Sequence, residues 1–197
     1  MYVCNPNENN DMRELPLLFS TPMVQALLNG SKGQTRRTSM LKEINEHPDT
    51  WYFDHIDYGY SIWDSNDFPL PTFIKERISP GDRIYVKETY AEGFSAGEFE
   101  DSQHIIYKAD MPQSDWKKLK WSSSMFMPKC AARIFLEVES ISFERLLDIS
   151  KQDAIDEGIE RGNPIHSYFS LWDSINGKNS HKINPWVRVI RFKRINP

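Results

Sequence analysis

What is scarce in this sequence narrows its possible functions. No apolar run approaches the ~20 residues that a membrane-spanning helix needs. Only two cysteines occur, Cys4 and Cys130. That excludes a disulfide framework, and neither belongs to a Cys/His cluster with zinc-ligand spacing. The histidines, His47, His55, His104, His166 and His181, are widely separated, and none pairs at metal or triad spacing. There is no glycine-rich phosphate loop, nucleophile elbow or dinucleotide fingerprint. No metal or other cofactor is therefore expected. Basic residues are the minority charge, 24 against 28 acidic, for a formal net charge of -4. A uniformly basic nucleic-acid coat is excluded, while a local basic site is not. Residues 1–14 are polar and acidic, without the basic and apolar regions of a signal peptide. A cytoplasmic location away from membranes is the expectation.

Apolar material is sufficient for a core. Hydrophobic residues make up 39% of the 197 and aromatics 13%, which argues against wholesale disorder. Residues 1–14 read as a polar, flexible tail. LPLLFS (15–20) reads as a short buried strand. Thr21 as N-cap, Pro22 and Gly30 then bracket a helix. Residues 40–78 read as an irregular insertion with a hairpin near 57–63. The segments 83–90 and 133–141 alternate with period two, and a shorter strand is expected at 105–109. A loop is expected over 110–129, with Cys130 after it as a small buried hydrophobe. Ser150 opens a helix through a capping box with Asp153 in the usual Glu position. A longer helix runs from Asn163 and Pro164 to Gly177, with Phe169 and Trp172 on its buried side. The last strand, WVRVIRFK (186–193), packs Val187, Val189 and Ile190. Mixed strand pairing with few helices points to an α+β fold, a small open barrel or curled sheet with helices at its ends.

The densest polar signal is Gly30-Ser31-Lys32-Gly33-Gln34-Thr35-Arg36-Arg37. Its glycines allow close backbone approach to a ligand, and three cations and a hydroxyl follow within a few positions. On an extended segment Thr35 and Arg37 share one face and Arg36 takes the other. The plain alternative is a solvated basic turn answering the dipole of the preceding helix.

This pattern, G-x-K-x-x-T-x-R after a short helix, resembles the signature of the ASCH family, a branch of the PUA-like superfold. Gly30, Lys32, Thr35 and Arg37 fill it without a gap. Further stretches resemble the larger ASCH proteins of phages and prophages: LPLLFSTPMVQALLNG, PGDRIYVKETY, MPKCAARIFLEV, LLDISKQDAIDEGI, FSLWDSINGK and NPWVRVIRFKRI. Together they cover roughly residues 15–39, 79–90 and 121–195. The resemblance implies a single domain over 15–197, a PUA-like small mixed β-barrel with short flanking helices, enlarged by the insertion at 40–78. It also implies a nucleoside or RNA base as ligand. Small ASCH proteins include amidohydrolases that deacetylate N4-acetylcytidine with Lys, Thr and Glu, which fall on Lys32, Thr35 and Glu157. Others resemble RNA-binding modules, and ribonuclease activity is attributed to some, so single-stranded RNA is a further expected partner.

Such a triad is chemically coherent. Amide hydrolysis needs a nucleophile, a base, an acid for the departing amine and a cation for the oxyanion. Lys32 would be the base, Thr35 the nucleophile or water holder, and Glu157 the proton donor, with Arg36 and Arg37 supplying positive field. The plain alternative for Lys32 and Glu157 is an ion pair. Glu88 and Arg133 are secondary candidates for substrate contacts, against a cross-strand charge pair and a solvated arginine. Trp121 and Tyr90 are candidates for stacking a base. Arg188, Arg191, Lys193 and Arg194 form a stripe without a nearby acid in sequence, either a phosphate track or a basic edge that discourages aggregation.

Overall fold

The computed structural model describes residues 13–94, 103–159 and 162–196. Residues 1–12, most of the expected tail, lie outside the described residues; Glu14 already belongs to a strand. Ten strands and four α-helices occur among the described residues, in a mixed α+β arrangement of open sheets. The chain divides into two compact units, one of residues 1–30, 82–137 and 194–197, the other of 31–81 and 138–193.

In the first unit, β1 (Glu14–Leu18) runs parallel to β6 (Arg83–Lys87), with Leu15 opposite Ile84 and Leu17 opposite Val86. The first residues of β9 (Phe135–Arg145) pair antiparallel with β6 on its other side. β1 is thus an edge strand, half-buried instead of the fully buried strand its apolar run suggests. Helix α1 (Thr21–Leu28) begins one residue earlier than expected, with Ser20 instead of Thr21 in extended conformation before it and Pro22 in its first turn. It ends at Asn29, and Gly30 takes a φ of +81° that L side chains rarely adopt. β7 (Tyr90–Phe94) and β8 (Gln103–Tyr107) pair antiparallel. The expected loop over 110–129 is organised into short 3-10 turns, and Cys130, expected to be buried, is exposed.

In the second unit β2 (Gln34–Arg37) lies antiparallel to β10 (Trp186–Ile195), which neighbours β9. The expected irregular insertion is instead α2 (Lys42–Glu46) and a three-stranded antiparallel sheet, β3 (Trp51–Asp57), β4 (Tyr60–Ser65) and β5 (Thr72–Lys75). A buried aromatic cluster ties it into the unit. Trp63 is buried, with its ring 5.1 Å from both Phe143 and Trp186. Leu41, Ile44, Trp51 and Ile74 complete that core. Asp, Asn and Pro between these aromatics obscure the period of two in the sequence.

Helix α3 (Lys151–Asp156) forms as its capping box predicts: the Ser150 hydroxyl accepts from the Asp153 backbone at 3.1 Å and donates to its carboxylate at 2.6 Å. Helix α4 (Pro164–Asn176) is capped by Asn163, which accepts from the His166 N–H, and ends at Gly177 with φ +108°. Both helices pack Ala154, Tyr168 and Trp172 against Val187 and Val189 of β10 in a second core. These caps and cores set the end of α3 against β2.

Candidate active site

The motif residues become a site because the chain entering β2 is held between α3 and β10. The Gly33 N–H donates to the Asp156 carbonyl at 2.9 Å, and the Gly33 carbonyl accepts from Phe192 at 3.0 Å. Lys32 and Glu157 form a backbone bridge. The register sets Gln34 opposite Arg191 and Arg36 opposite Val189. Val189 belongs to the core that α3 and α4 cover, so Gln34 and Arg36 point the same way, towards α3.

Charge pairing there is dense. Lys32 Nζ donates to Glu157 Oε2 at 2.7 Å and to the Glu157 carbonyl at 2.9 Å, the latter satisfying an unpaired carbonyl at the end of α3. Both side chains are sealed, at 0% and 2% exposure. Arg36 donates to the other Glu157 oxygen at 3.1 Å and to Glu144 at 2.7 Å. Its guanidinium also sits 5.9 Å from the Tyr168 ring centre. Gln34 donates to the backbone and side chain of Asp153, whose carboxylate also receives Arg191 at 2.8 Å. In a medium this dry, removing one charge would leave its partner strongly disfavoured.

Burial pulls Lys32 below its ordinary value of 10.5, and Arg37 and Arg36 add to that, while Glu157 opposes it. Arg36 moves the other way, its own burial outweighed by Glu157 and Glu144. Arg37 is lowered by burial, with Glu157 and Tyr168 opposing. Tyr168 is held well above 10.0, first by burial and then by Glu157, so its hydroxyl stays neutral near pH 7. Lys32 is therefore the site residue whose charged form burial disfavours while it touches a carboxylate, that of Glu157, directly.

No family model, curated protein or solved structure matches this chain.

The expected residues are distributed unevenly. Lys32, Arg36 and Glu157 meet directly. Thr35 is buried but lies on the opposite face of β2, in register with Ile190. Arg37 shares that face, opposite Arg188. The expected acid-free basic stripe is a correction: Arg188 lies 2.6 Å from Glu76, both buried, and Arg191 pairs with Asp153. Sequence reasoning missed Glu144, Asp153 and Tyr168 as members of the site. Asp153 carried a signal, as the capping-box residue of α3; Glu144 and Tyr168 carried none, because their link to Arg36 is made only by tertiary packing. A cavity of about 380 Å³ in the same unit is lined by Thr38, Lys42, Asn45, Trp172 and Ile183 among others, and not by the ion-paired residues.

Glu88, Arg133, Tyr90 and Trp121 belong to the first unit. Glu88 is buried and takes a two-pronged grip from Arg133 at 2.8 and 3.1 Å. Arg133 also holds Asp110 and lies 3.8 Å from the Tyr107 ring centre. Burial raises the Glu88 carboxyl, against the Arg133 bonds that lower it. Tyr90, expected to stack a base, is instead buried with Met127 and Ala131. Trp121 and Trp116 flank the Lys108 ammonium, 5.7 and 4.4 Å from their ring centres.

Proposed function

We propose that this chain is an ASCH-type protein of PUA-like barrel fold that hydrolyses an amide on a nucleoside or RNA base, with N4-acetylcytidine as the concrete substrate. The observation that carries the reading is the desolvated Lys32–Glu157 contact of 2.7 Å, in which burial drives the lysine towards its neutral form. A lysine whose charged form burial disfavours, held against a carboxylate, is a candidate base in a proton-transfer pair.

In this reading, neutral Lys32 takes the proton from a water on the α3-facing side of β2, since Thr35 lies on the other face. The water oxygen attacks the acetyl carbon, and Arg36, on the same side as Lys32, stabilises the resulting oxyanion. The proton passes from Lys32 to Glu157 and on to the cytosine N4 as the C–N bond breaks. The one water consumed completes the balance, giving acetate and cytidine. Because Lys32 and Glu157 are closed to solvent, substrate access in this reading requires the packing around them to open. The alternatives, a non-catalytic RNA-binding module or a ribonuclease, have less support, since Arg133, Arg188 and Arg191 are each matched by carboxylates.

The test is chromatographic: incubation with N4-acetylcytidine, following cytidine release. Release by the wild type and its loss in Lys32→Met and Glu157→Gln would support the reading. Absence of release by the wild type would overturn it.

A further inference from the structure

The outer face of the β3–β4–β5 sheet holds side chains that neither the core nor the proposed chemistry uses. Trp51, Trp63 and Ile74 are buried on the inner face, and strand alternation sends the residues between them outward. Register aligns His55, Ile62 and Phe73 in one cross-strand row and Asp57, Tyr60 and Lys75 in the next, with Tyr52 opposite Asp64. Phe73 is 60% exposed and Tyr58, at the β3–β4 turn, is 94% exposed; Tyr52 and Tyr60 are exposed too. The water-facing side of an antiparallel sheet is ordinarily polar.

Tyr58 is also conformationally costly. It has φ +45°, followed by Gly59 at +78°, a pair of positive angles for which Asn-Gly is the favoured sequence. An almost fully exposed tyrosine at that place adds little to folding.

The charge on this segment selects the partner. Between residues 51 and 75 the chain carries Asp54, Asp57, Asp64 and Asp67 against the single cation Lys75. Carboxylates interleaved with exposed rings repel nucleic-acid phosphates. They match a cation that also stacks, and the arginine guanidinium does both. We propose that the outer face of this sheet docks a basic, arginine-bearing polypeptide segment, its guanidinium groups over Tyr52, Tyr60 and Phe73 and paired with Asp57 and Asp64.

The test titrates a fluorescein-labelled arginine- and glycine-rich peptide with the full chain and follows anisotropy. The controls are the same peptide with glutamate in place of arginine and a labelled oligouridylate. Saturable binding of the arginine peptide alone is expected. It should weaken about tenfold or more in the Tyr60→Ser/Phe73→Ser variant, as for aromatic anchors at interfaces, and likewise in Asp57→Asn/Asp64→Asn. Tyr60→Phe should retain it. Circular dichroism establishes that each variant is folded, and the aspartate pair serves if the aromatic pair is not. The proposal is overturned by no binding of the arginine peptide, by binding indifferent to both double variants, by preference for oligouridylate, or by self-association of the chain through this face.

Discussion

Arg36 and Arg133 are each held by two carboxylates, yet the two clusters differ in what they can do. Arg36 is fully sealed, between Glu144 and Glu157. Arg133 keeps 26% of its side chain exposed, between Glu88 and Asp110. The more consequential difference is Lys32, which shares Glu157 with Arg36. Guanidinium groups stay charged throughout the physiological range, so a cluster of arginine and carboxylate offers no neutral nitrogen that could act as a base. Adding a desolvated lysine turns the same kind of network into a candidate acid–base pair. The comparison teaches that function is to be sought where a titratable base joins a buried ion network, not where ion pairs are merely dense.

The largest expected effect comes from Glu157→Ala, which leaves Lys32 and Arg36 buried with too little negative charge. We predict a loss of about 3–5 kcal/mol, read by urea unfolding, together with loss of cytidine release. Glu88→Ala should cost less, about 1–3 kcal/mol, because Arg133 keeps Asp110 and some water; equal losses in the two variants would break the comparison. Lys32→Met sharpens it further. Glu157 keeps Arg36, so the fold should survive while hydrolysis is abolished. At the small end, Asp110→Ala, at the exposed side of the Arg133 cluster, should cost about 0–1 kcal/mol.

The clusters should also respond to pH with opposite sign. Lys32 is lowered from 10.5 in the folded chain. The unfolded chain binds the extra proton between the folded value and 10.5, so stability rises with pH across that window. Glu88 is raised from 4.5. There the folded chain binds the extra proton, and stability falls as pH climbs from 4.5 through the folded value. Urea midpoints across pH, compared with those of Lys32→Met and Glu88→Gln, would isolate each slope. Near and above pH 10 the raised Tyr168 adds a contribution that falls with pH. The Lys32 slope is therefore best read below that range.

Elements with local signals were legible from the sequence. The Ser150–Asp153 capping box and the Asn163, Pro164 and Gly177 boundaries appear where those residues place them. Period-two alternation located the starts of β6 and β10, with β6 ending three residues before and β10 two residues after the expected ends. Of the β3–β4–β5 sheet only the hairpin near 57–63 was legible, as the turn between β3 and β4. The sheet's bulge between Phe53 and His55 interrupts the alternation, and its inner face is defined by Phe143 and Trp186, far away in the chain. The site was partly legible. Lys32 stood out through the motif and Glu157 only through the resemblance to ASCH proteins, whereas Glu144 and Tyr168 reach Arg36 only through tertiary packing. The open sheets among the described residues are α+β as expected, without by themselves marking a barrel.

The central claim is that Lys32 functions as a base, and its most direct test is an NMR titration of the Lys32 side-chain Nζ in the folded protein. The account predicts that this nitrogen loses its proton below the ordinary 10.5, and that Glu157→Gln, by removing the opposing charge, shifts the midpoint lower still. A midpoint at or above 10.5 would contradict it and leave Lys32 and Glu157 as a structural ion pair.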